Sequence, residues 1–350
     1  MPIPIPEEDG LTAPARHILR ALHPLPGART FIKTDKILHA AHAEDRTMPL
    51  MDLFAILARM VQPWVCRYPV LEAQGNFGSI DGDPPAGMRY TELARFKDEQ
   101  PPIPRLLCNG AWAHSGTFAA QPNPEASDDA SLIDCVPEEP IQGGELLSFL
   151  LPHNLGEVAR AITLLLDRPR SSVEEVLRVL PGPDFPTGGI LTNPEALPAL
   201  YATGKGEARI RARMRVDTIP RNKFCVVISE IPFGMSKTDL IERMAAGVKD
   251  GSLTDIADIR DMTQRDDLRI EIEAARDKDP AWVLHQLSSD PRLESVIQVR
   301  MVVRRAGHAN TVGLIDLLRM SLDNLPNNPR HVLAEWALRS DARRSTIRNS

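Results

Sequence analysis

The segment RYPVLEAQGNFGSIDGDPPAGMRYTE, residues 67–92, separates a helical stretch from the rest of the chain. It lacks hydrophobic periodicity and is rich in glycine, aspartate and proline, which favour turns. A loop this long in a globular protein is usually either functional or disordered. Its apolar residues argue for order: Val70, Leu71, Phe77, Ile80 and Met88. The segment ends near Tyr90, one of only three tyrosines in the chain, which directly follows Arg89.

Three short helices are predicted before this segment. ARHILRAL (residues 15–22) is the first, and TDKILHAAHAEDR (34–46) is the second, with Thr34 as its N-cap candidate. MPLMDLFAILARMVQPW (48–64) is strongly apolar and should end at Pro63. Such a succession fits a helix-turn-helix-like unit and other small helical bundles equally well.

The chain changes character after the segment. Residues 111–145 indicate a loop-rich insertion with an acidic bias. From Leu155 onward, amphipathic helical stretches alternate with β-branched strands such as KFCVVISEIP (223–232) and LRIEIEA (268–274). SKTDLIERMAAGVKDG (236–251) is predicted to be a helix capped by Ser236 and Gly251. This half is therefore predicted to combine helices with antiparallel strands.

Composition is that of an ordinary globular protein. The 350 residues are 43% hydrophobic and 25% charged, enough for a sizeable core in two or more domains. No apolar run is long enough to span a membrane, and the N-terminus lacks a secretory signal pattern. The cysteines lie too far apart for a CxxC motif: Cys66, Cys108, Cys135 and Cys225. A cytoplasmic protein with reduced thiols is expected.

Charge is unevenly distributed. The net charge of −6 argues against a nucleic-acid partner, but binding depends on the local field. Residues 203–223 contain seven basic and two acidic side chains. In a strand, four arginines would share one face: Arg209, Arg211, Arg213 and Arg215. Either a phosphate backbone lies across them or nearby acids such as Glu207 and Asp217 neutralise them, and the pattern alone does not choose.

Two short motifs have some features of ligand sites. ATGKGEA (202–208) lacks the first glycine and the Ser or Thr of a Walker loop, so an ATP site is not predicted. The aspartates of SIDGDPP (79–85) lack EF-hand spacing, and turn formation is favoured over metal binding. A phenol has a pKa of about 10, so a nucleophilic Tyr90 would need a cation such as Arg89 nearby, whereas most tyrosines simply pack.

Residues 67–92 closely resemble the active-site segment of the A subunit of bacterial type IIA topoisomerases, the gyrase and topoisomerase IV family. Further similar motifs follow in the family's order: RMVQP (59–63), LPHNLGEV (151–158), PGPDFPTGG (181–189), ATGKGEARIRAR (202–213) and ISEIPF (228–233). So many ordered motifs make the resemblance specific over most of residues 20–340.

The resemblance implies an α+β multidomain fold, in which a winged-helix-like DNA-cleavage domain precedes an α/β tower-like domain with antiparallel strands. The expected divisions are an N-terminal arm (1–30), the winged-helix-like domain with the 111–145 insertion (31–150), the tower-like domain (151–312) and a helical segment (313–350).

The resemblance also implies roles for residues. Tyr90 would form a transient 5′-phosphotyrosyl link with DNA, Arg89 would stabilise that phosphate, and Arg20 is a candidate supporting arginine. Further DNA contacts are expected from Arg59, Lys205, Arg209, Arg211, Arg213 and Arg215. No metal ligands or cofactor are expected in this chain, because the family carries its Mg²⁺ and ATP on a separate B subunit. The expected partners are that B subunit together with double-stranded DNA, and homodimerisation stays open.

Two alternatives remain. The first is a catalytically impaired, DNA-binding paralogue of the A subunit. Glu44–Asp52 contains no histidine where the family has HPHGD, although His39 and His42 lie upstream, and AWAHSGTFAA (111–120) replaces the family's GIAVGMAT stretch. The second is an interaction module that competes for the B subunit, which the overall acidity favours.

Overall fold

The structure, a computed structural model, describes residues 13–22, 31–44, 46–69, 71–96, 111–114, 146–219, 223–264, 267–305, 308–323 and 329–339. The helices are α1 Ala13–Leu22, α2 Thr34–Glu44, α3 Leu50–Val61, α4 Leu155–Asp167, α5 Val173–Leu177, α6 Leu197–Thr203, α7 Lys237–Asp250, α8 Pro280–Ser289, α9 Leu314–Asp323 and α10 Pro329–Arg339. The strands are β1 Ile32–Lys33, β2 Leu71–Gln74, β3 Glu92–Phe96, β4 Ala111–His114, β5 Leu146–Leu150, β6 Ile190–Leu191, β7 Lys205–Arg211, β8 Arg213–Ile219, β9 Lys223–Glu230, β10 Ile256–Asp261, β11 Ile270–Ala274, β12 Glu294–Arg300, β13 Val302–Arg305 and β14 His308–Thr311.

The first core is formed by α1, α2 and α3 beside an antiparallel sheet of order β1-β3-β2. Helical spacing brings Ile18, Ile37 and Leu57 into this core, where each is fully buried. The predicted boundary at residue 30 would have placed α1 in a separate N-terminal arm. Helix α1 instead packs in the same core as α2 and α3, within the predicted 31–150 domain. The remainder of that arm, residues 1–12 and 23–30, lies outside the described residues.

The second core surrounds a five-stranded sheet of order β4-β5-β12-β7-β6. Its pairings are antiparallel except β5 with β12, which is parallel. Strand β4 lies in the predicted insertion, whose residues 115–145 are outside the described part. Leu314 and Leu333 are buried with Leu155 in this core, so α9 and α10 pack on α4 and residues on both sides of position 313 share one core.

The third core lies between a four-stranded antiparallel sheet of order β10-β11-β9-β8 and helices α7 and α8. Val226, Ile272 and Leu287 are fully buried in it. The predicted 151–312 domain thus contains two cores. Together the three cores confirm an α+β architecture of helices and mainly antiparallel sheets. No helix in the described ranges combines the length and apolarity needed to cross a membrane.

Local capping explains several helix ends. The Ser236 hydroxyl accepts the Asp239 N–H at the start of α7, and Gly251 ends that helix with a φ of 78°. At the start of α5, Ser172 and Glu175 form a reciprocal capping box. Helix α3 ends before Pro63. The predicted ends of α7 and of α3 are confirmed.

Candidate functional site: the Tyr90 loop

Tyr90 lies near the end of a loop, residues 75–91, that connects two paired strands. Gln74 at the end of β2 pairs with Glu92 at the start of β3, so the loop leaves and re-enters the sheet at the same end of these strands. The Tyr90 N–H donates to the Gly87 carbonyl at 2.8 Å. Its side chain is 78% exposed, and within the described ranges its hydroxyl makes no hydrogen bond. The backbone is held while the phenol is presented to solvent.

The C-terminal end of the loop is tied to α2. Thr34 donates its backbone N–H to the Thr91 carbonyl at 3.0 Å. The Thr91 hydroxyl donates to the Thr34 hydroxyl at 2.9 Å, and both side chains are fully buried. Thr34 begins α2, close to the helix start where it was predicted, whereas its side-chain contact with Thr91 was not predicted.

The N-terminal part of the loop is tied to α3. The Gln62 side chain donates from Nε2 to the Phe77 carbonyl at 2.6 Å. The Phe77 ring is buried beside Phe54 of α3, with their centroids 6.4 Å apart. Apolar packing and one side-chain hydrogen bond therefore hold this half of the loop against the first core.

Hydrogen bonds within the loop agree with the turn interpretation for Asp83. The Ser79 hydroxyl donates to Asp83 Oδ2 at 2.7 Å, and the Asn76 side chain accepts the Gly78 N–H at 2.7 Å. The Ala86 N–H donates to the Asn76 carbonyl at 2.9 Å and closes the loop on itself. No group of three or more potential metal ligands occurs in the described parts of the chain.

The candidate supporting arginines are both exposed. Arg89 precedes Tyr90 on the same loop, and Arg20 lies in the last turn of α1. Within the described ranges neither guanidinium forms an ion pair. Arg89 is adjacent to Tyr90 by sequence, whereas Arg20 belongs to a different element and forms no hydrogen bond with Tyr90.

Arg59 occupies a half-buried position in the last turn of α3. Burial lowers the pKa of its guanidinium from the ordinary value. The Arg59 carbonyl accepts the Cys66 thiol at 3.2 Å, and burial raises the pKa of that thiol to about 12. The Arg59 side chain is therefore less accessible to solvent than that of a fully exposed arginine in contact with DNA would be.

The four predicted arginines of the second half do not lie on one strand. The buried Ala212 separates β7 from β8, which belong to different sheets. Arg209 and Arg211 are on β7, and Arg213 and Arg215 are on β8. The predicted common face required one strand that contains all four arginines. Because β7 and β8 belong to different sheets, that requirement is not met.

Each of these arginines has a partner within the chain. Arg209 contacts Glu207 at 2.5 Å and Arg215 contacts Asp217 at 3.6 Å, the two acids named as neutralising candidates. Two other partners complete the set: Arg211 with the Ser288 carbonyl at 2.5 Å and Arg213 with Glu230 at 2.8 Å. Lys205 is exposed at the start of β7. Carboxylates therefore pair with three of the four arginines, while Arg211 is held by a neutral carbonyl oxygen.

A comparison with known protein families matches most of the chain. The sequence profile of the DNA gyrase/topoisomerase IV A-subunit family matches residues 5–99 and 146–327. The chain belongs to this family.

Individual members of the gyrase A family are similar over most of the chain. The DNA gyrase A protein of Chlamydia pneumoniae is 34% identical over 80% of this chain, and that of Aminobacterium colombiense is 34% identical over 90%. A probable chloroplastic/mitochondrial DNA gyrase A protein of Oryza sativa subsp. japonica is 32% identical over 90%. The matches cover 34%, 39% and 34% of those proteins, so this chain spans about a third of their length.

Glu44–Asp52, where the sequence resemblance led us to expect the family's histidine motif, runs from the end of α2 into the start of α3. His42, at the end of α2, donates through Nδ1 to the Met48 carbonyl at 3.0 Å, while His39 is exposed. His42 therefore reaches the segment where the family's histidines were expected.

Sequence reasoning missed two charged residues that connect the loop region with the later cores. Arg67 is paired with Asp184 at 3.1 Å, and both side chains are buried. Lys237 of α7 contacts Asp81 of the Tyr90 loop at 2.7 Å. Neither the lysine nor the arginine stands out in sequence, because the partners are separated by more than a hundred residues and no short motif marks such pairs.

Proposed function

We propose that this chain is a DNA-binding, DNA-cleaving and rejoining A-type subunit of a type IIA topoisomerase. In this proposal the first core and its loop are the winged-helix-like cleavage domain, and the two later cores form the tower-like domain. The observation that carries the proposal is the 78% exposure of Tyr90 on a loop tied to both α2 and α3. A buried or freely mobile tyrosine would be poorly placed for attack on a DNA phosphate.

The proposed reaction is a transesterification. The Tyr90 phenol oxygen attacks a backbone phosphorus, the P–O3′ bond breaks, and the phosphate stays on Tyr90 as a 5′-phosphotyrosyl ester. The phenol loses one proton and the departing 3′ oxygen gains one, so atoms and charge balance without hydrolysis. Because an ester replaces an ester, the 3′ hydroxyl can attack in reverse and reseal the strand.

Arg89 is proposed to stabilise the phosphate under attack. A guanidinium stays protonated at all physiological pH values and can donate two parallel hydrogen bonds to phosphate oxygens. Its exposure and its adjacency to Tyr90 support this role. Arg20 is retained as a supporting arginine, on family resemblance alone.

The proposed partners are double-stranded DNA and a B-type subunit that supplies Mg²⁺ and hydrolyses ATP. The nearest loop carboxylates already have partners, since Asp83 accepts from Ser79 and Asp81 pairs with Lys237. Supply of the metal from another chain is consistent with that engagement. Arg59, Lys205 and the four arginines at 209–215 remain proposed DNA contacts, which would exchange their internal partners for phosphates.

A catalytically impaired DNA-binding paralogue is the second candidate. Two observations favour it: Glu44–Asp52 has no histidine, and the arginines of β7 and β8 are satisfied within the chain. Such a protein would bind duplex DNA without forming a covalent link.

The deciding experiment is covalent trapping. The protein, supercoiled plasmid, Mg²⁺ and a B subunit from the same source are mixed, quenched with detergent and digested with protease, and nicked or linear DNA is quantified. Tyr90→Phe should abolish the breaks. Tyr68→Phe is the matched control, because it removes a phenol oxygen that instead accepts the Leu155 N–H at 3.2 Å.

The outcomes separate the candidates. Breaks in the wild-type protein and in Tyr68→Phe, absent from Tyr90→Phe, support the cleavage proposal. Salt-dependent DNA binding by all three proteins with no breaks favours the impaired paralogue, since phosphate contacts give a steep salt dependence. Binding to the B subunit without measurable DNA affinity would favour the interaction module.

A further inference from the structure

A buried lysine joins the Tyr90 loop to the third core. Lys237 is the first residue of α7, and its side chain is only 6% exposed. Its ammonium contacts Asp81 of the loop at 2.7 Å and Asp261 at the end of β10 at 2.6 Å. One side chain therefore holds three segments that are distant in sequence.

The ammonium is held in its charged form by these contacts. Burial alone lowers a lysine pKa, but hydrogen bonds from Lys237 to Asp261 and Asp81 outweigh it and raise its pKa above the ordinary value. A buried charge is tolerated only when it is paired, which explains why two carboxylates surround it. At neutral pH the connection is ionic.

Backbone contacts bring the loop against the start of α7. The Lys237 N–H donates to the Ile80 carbonyl at 2.9 Å. Gly82 has a φ of 101°, and a Cβ there would lie 3.2 Å from the Ser236 side chain. The loop thus approaches the helix so closely that only glycine fits without adjustment.

The chain between Asp81 and Tyr90 is conformationally restricted. Pro84 and Pro85 stiffen the chain between them by fixing φ. The Ala86 N–H then donates to the Asn76 carbonyl, and the Tyr90 N–H donates to the Gly87 carbonyl. With few freely rotating residues in between, a shift at Asp81 should displace Tyr90.

We propose that Lys237 is a positioning residue that sets the place of Tyr90 by clamping Asp81 against Asp261. This inference rests on the proposed function for its catalytic consequence. Lys237 is too buried to touch DNA itself, so its effect should fall on the covalent step and leave DNA affinity unchanged.

Removing the ammonium leaves both of its carboxylate partners close to solvent. The side chains of Asp81 and Asp261 are 44% and 37% exposed, although the Asp81 Oδ1 that faces the ammonium is itself buried, so water reaches both carboxylates once the loop shifts. Lys237→Met keeps the apolar stem of the side chain in place. The variant should therefore fold, with a loosened loop.

The test compares Lys237→Met with Lys249→Met, the same change at an exposed position in the last turn of the same helix. For Lys237→Met, the rate of covalent complex formation at saturating DNA should fall by about tenfold or more, as misplacement of a reacting group predicts. DNA affinity should stay within about twofold, since the phosphate contacts are untouched. Lys249→Met should match the wild type.

Hydrogen exchange gives a readout that needs no catalysis. The amides of Gly82, Ala86 and Tyr90 are bonded within the loop, and they should exchange faster in Lys237→Met while α3 amides do not change. Asp81→Asn should resemble Lys237→Met, and the double variant should be no worse than the poorer single variant, as expected for residues acting through one contact.

Each outcome has a distinct meaning. Unchanged loop exchange, or a loss of DNA affinity that accounts for the loss of cleavage, would overturn the positioning role. Faster loop exchange with an unchanged cleavage rate would also overturn it, because the loop would then not set the place of Tyr90. If the wild-type protein forms no covalent complex, the proposed function fails, and loop exchange alone decides whether Lys237 clamps the loop.

Discussion

The hydroxyl of Thr91 donates a 2.9 Å hydrogen bond to the hydroxyl of Thr34, and both side chains are completely buried. This contact joins the residue after Tyr90 to the start of α2. With the Gln62 contact on the other side of the loop, it fixes the base from which the exposed phenol projects.

Thr91→Val should destabilise the protein by about 1–3 kcal/mol, because it leaves the Thr34 hydroxyl buried without its partner. The double variant Thr34→Val/Thr91→Val should recover part of that loss, since both polar groups are then removed. Urea denaturation of the three proteins measures the effect. A double variant as unstable as the sum of the single variants would show that the hydroxyls act independently.

Gly75→Ala should destabilise the protein and reduce covalent complex formation. Gly75 has a φ of 97°, and a Cβ there would lie 2.8 Å from the Tyr90 carbonyl oxygen. The matched control is Gly251→Ala, where φ is 78° and nothing lies within 4 Å. The control should lose only about 1 kcal/mol from backbone strain, and denaturation with the trapping assay should show the larger loss at Gly75. Equal losses at both positions would mean that the Tyr90 backbone yields without cost.

Arg67→Met should cost about 3–5 kcal/mol, because it strands the buried Asp184 carboxylate without its ionic partner. Arg330→Met is the control: Arg330 and Asp167 are 62% and 52% exposed, so their contact should be worth at most about 1 kcal/mol. Arg67→Met/Asp184→Asn should regain part of the loss in chemical denaturation. Similar small losses for both single variants would refute the burial argument.

Acid stability should depend on Asp290. Hydrogen bonds from Arg292 hold the pKa of this largely buried carboxyl below its ordinary value. Its stabilising contribution is therefore present above the unfolded pKa of about 3.9 and is lost as the pH falls through the lower folded value. Asp290→Asn should lower the free energy of unfolding at neutral pH, and the difference from wild type should shrink below about pH 4.

The control for this pH effect is Asp277→Asn. Asp277 and its neighbour Arg276 are 91% and 95% exposed, so water screens their contact and its loss should change the free energy of unfolding little. Urea denaturation across the acid range compares the two variants. A difference between Asp290→Asn and wild type that persists undiminished at low pH would contradict the assignment.

Much of the local structure could be predicted from sequence because its causes are local. Ser236 and Gly251 mark the ends of α7, Ser172 with Glu175 begins α5, and Pro63 follows α3. The local role of Asp83, which accepts from the Ser79 hydroxyl, also follows from neighbours within a few residues. Motif order over residues 59–233 was likewise enough to indicate the family.

The ends of α3 and α7, the strands β9 and β11, the family and the candidate nucleophile Tyr90 were thus predicted from the order of residues alone. Three features emerged only in three dimensions: Ala212 splits the arginines between two sheets, α9 and α10 share the core of α4, and Lys237 contacts Asp81. Capping and turn formation depend on a few adjacent residues, so they are visible in one dimension. Sheet pairing and buried ion pairs depend on contacts between residues far apart in the chain, which the spacing of residue types does not encode.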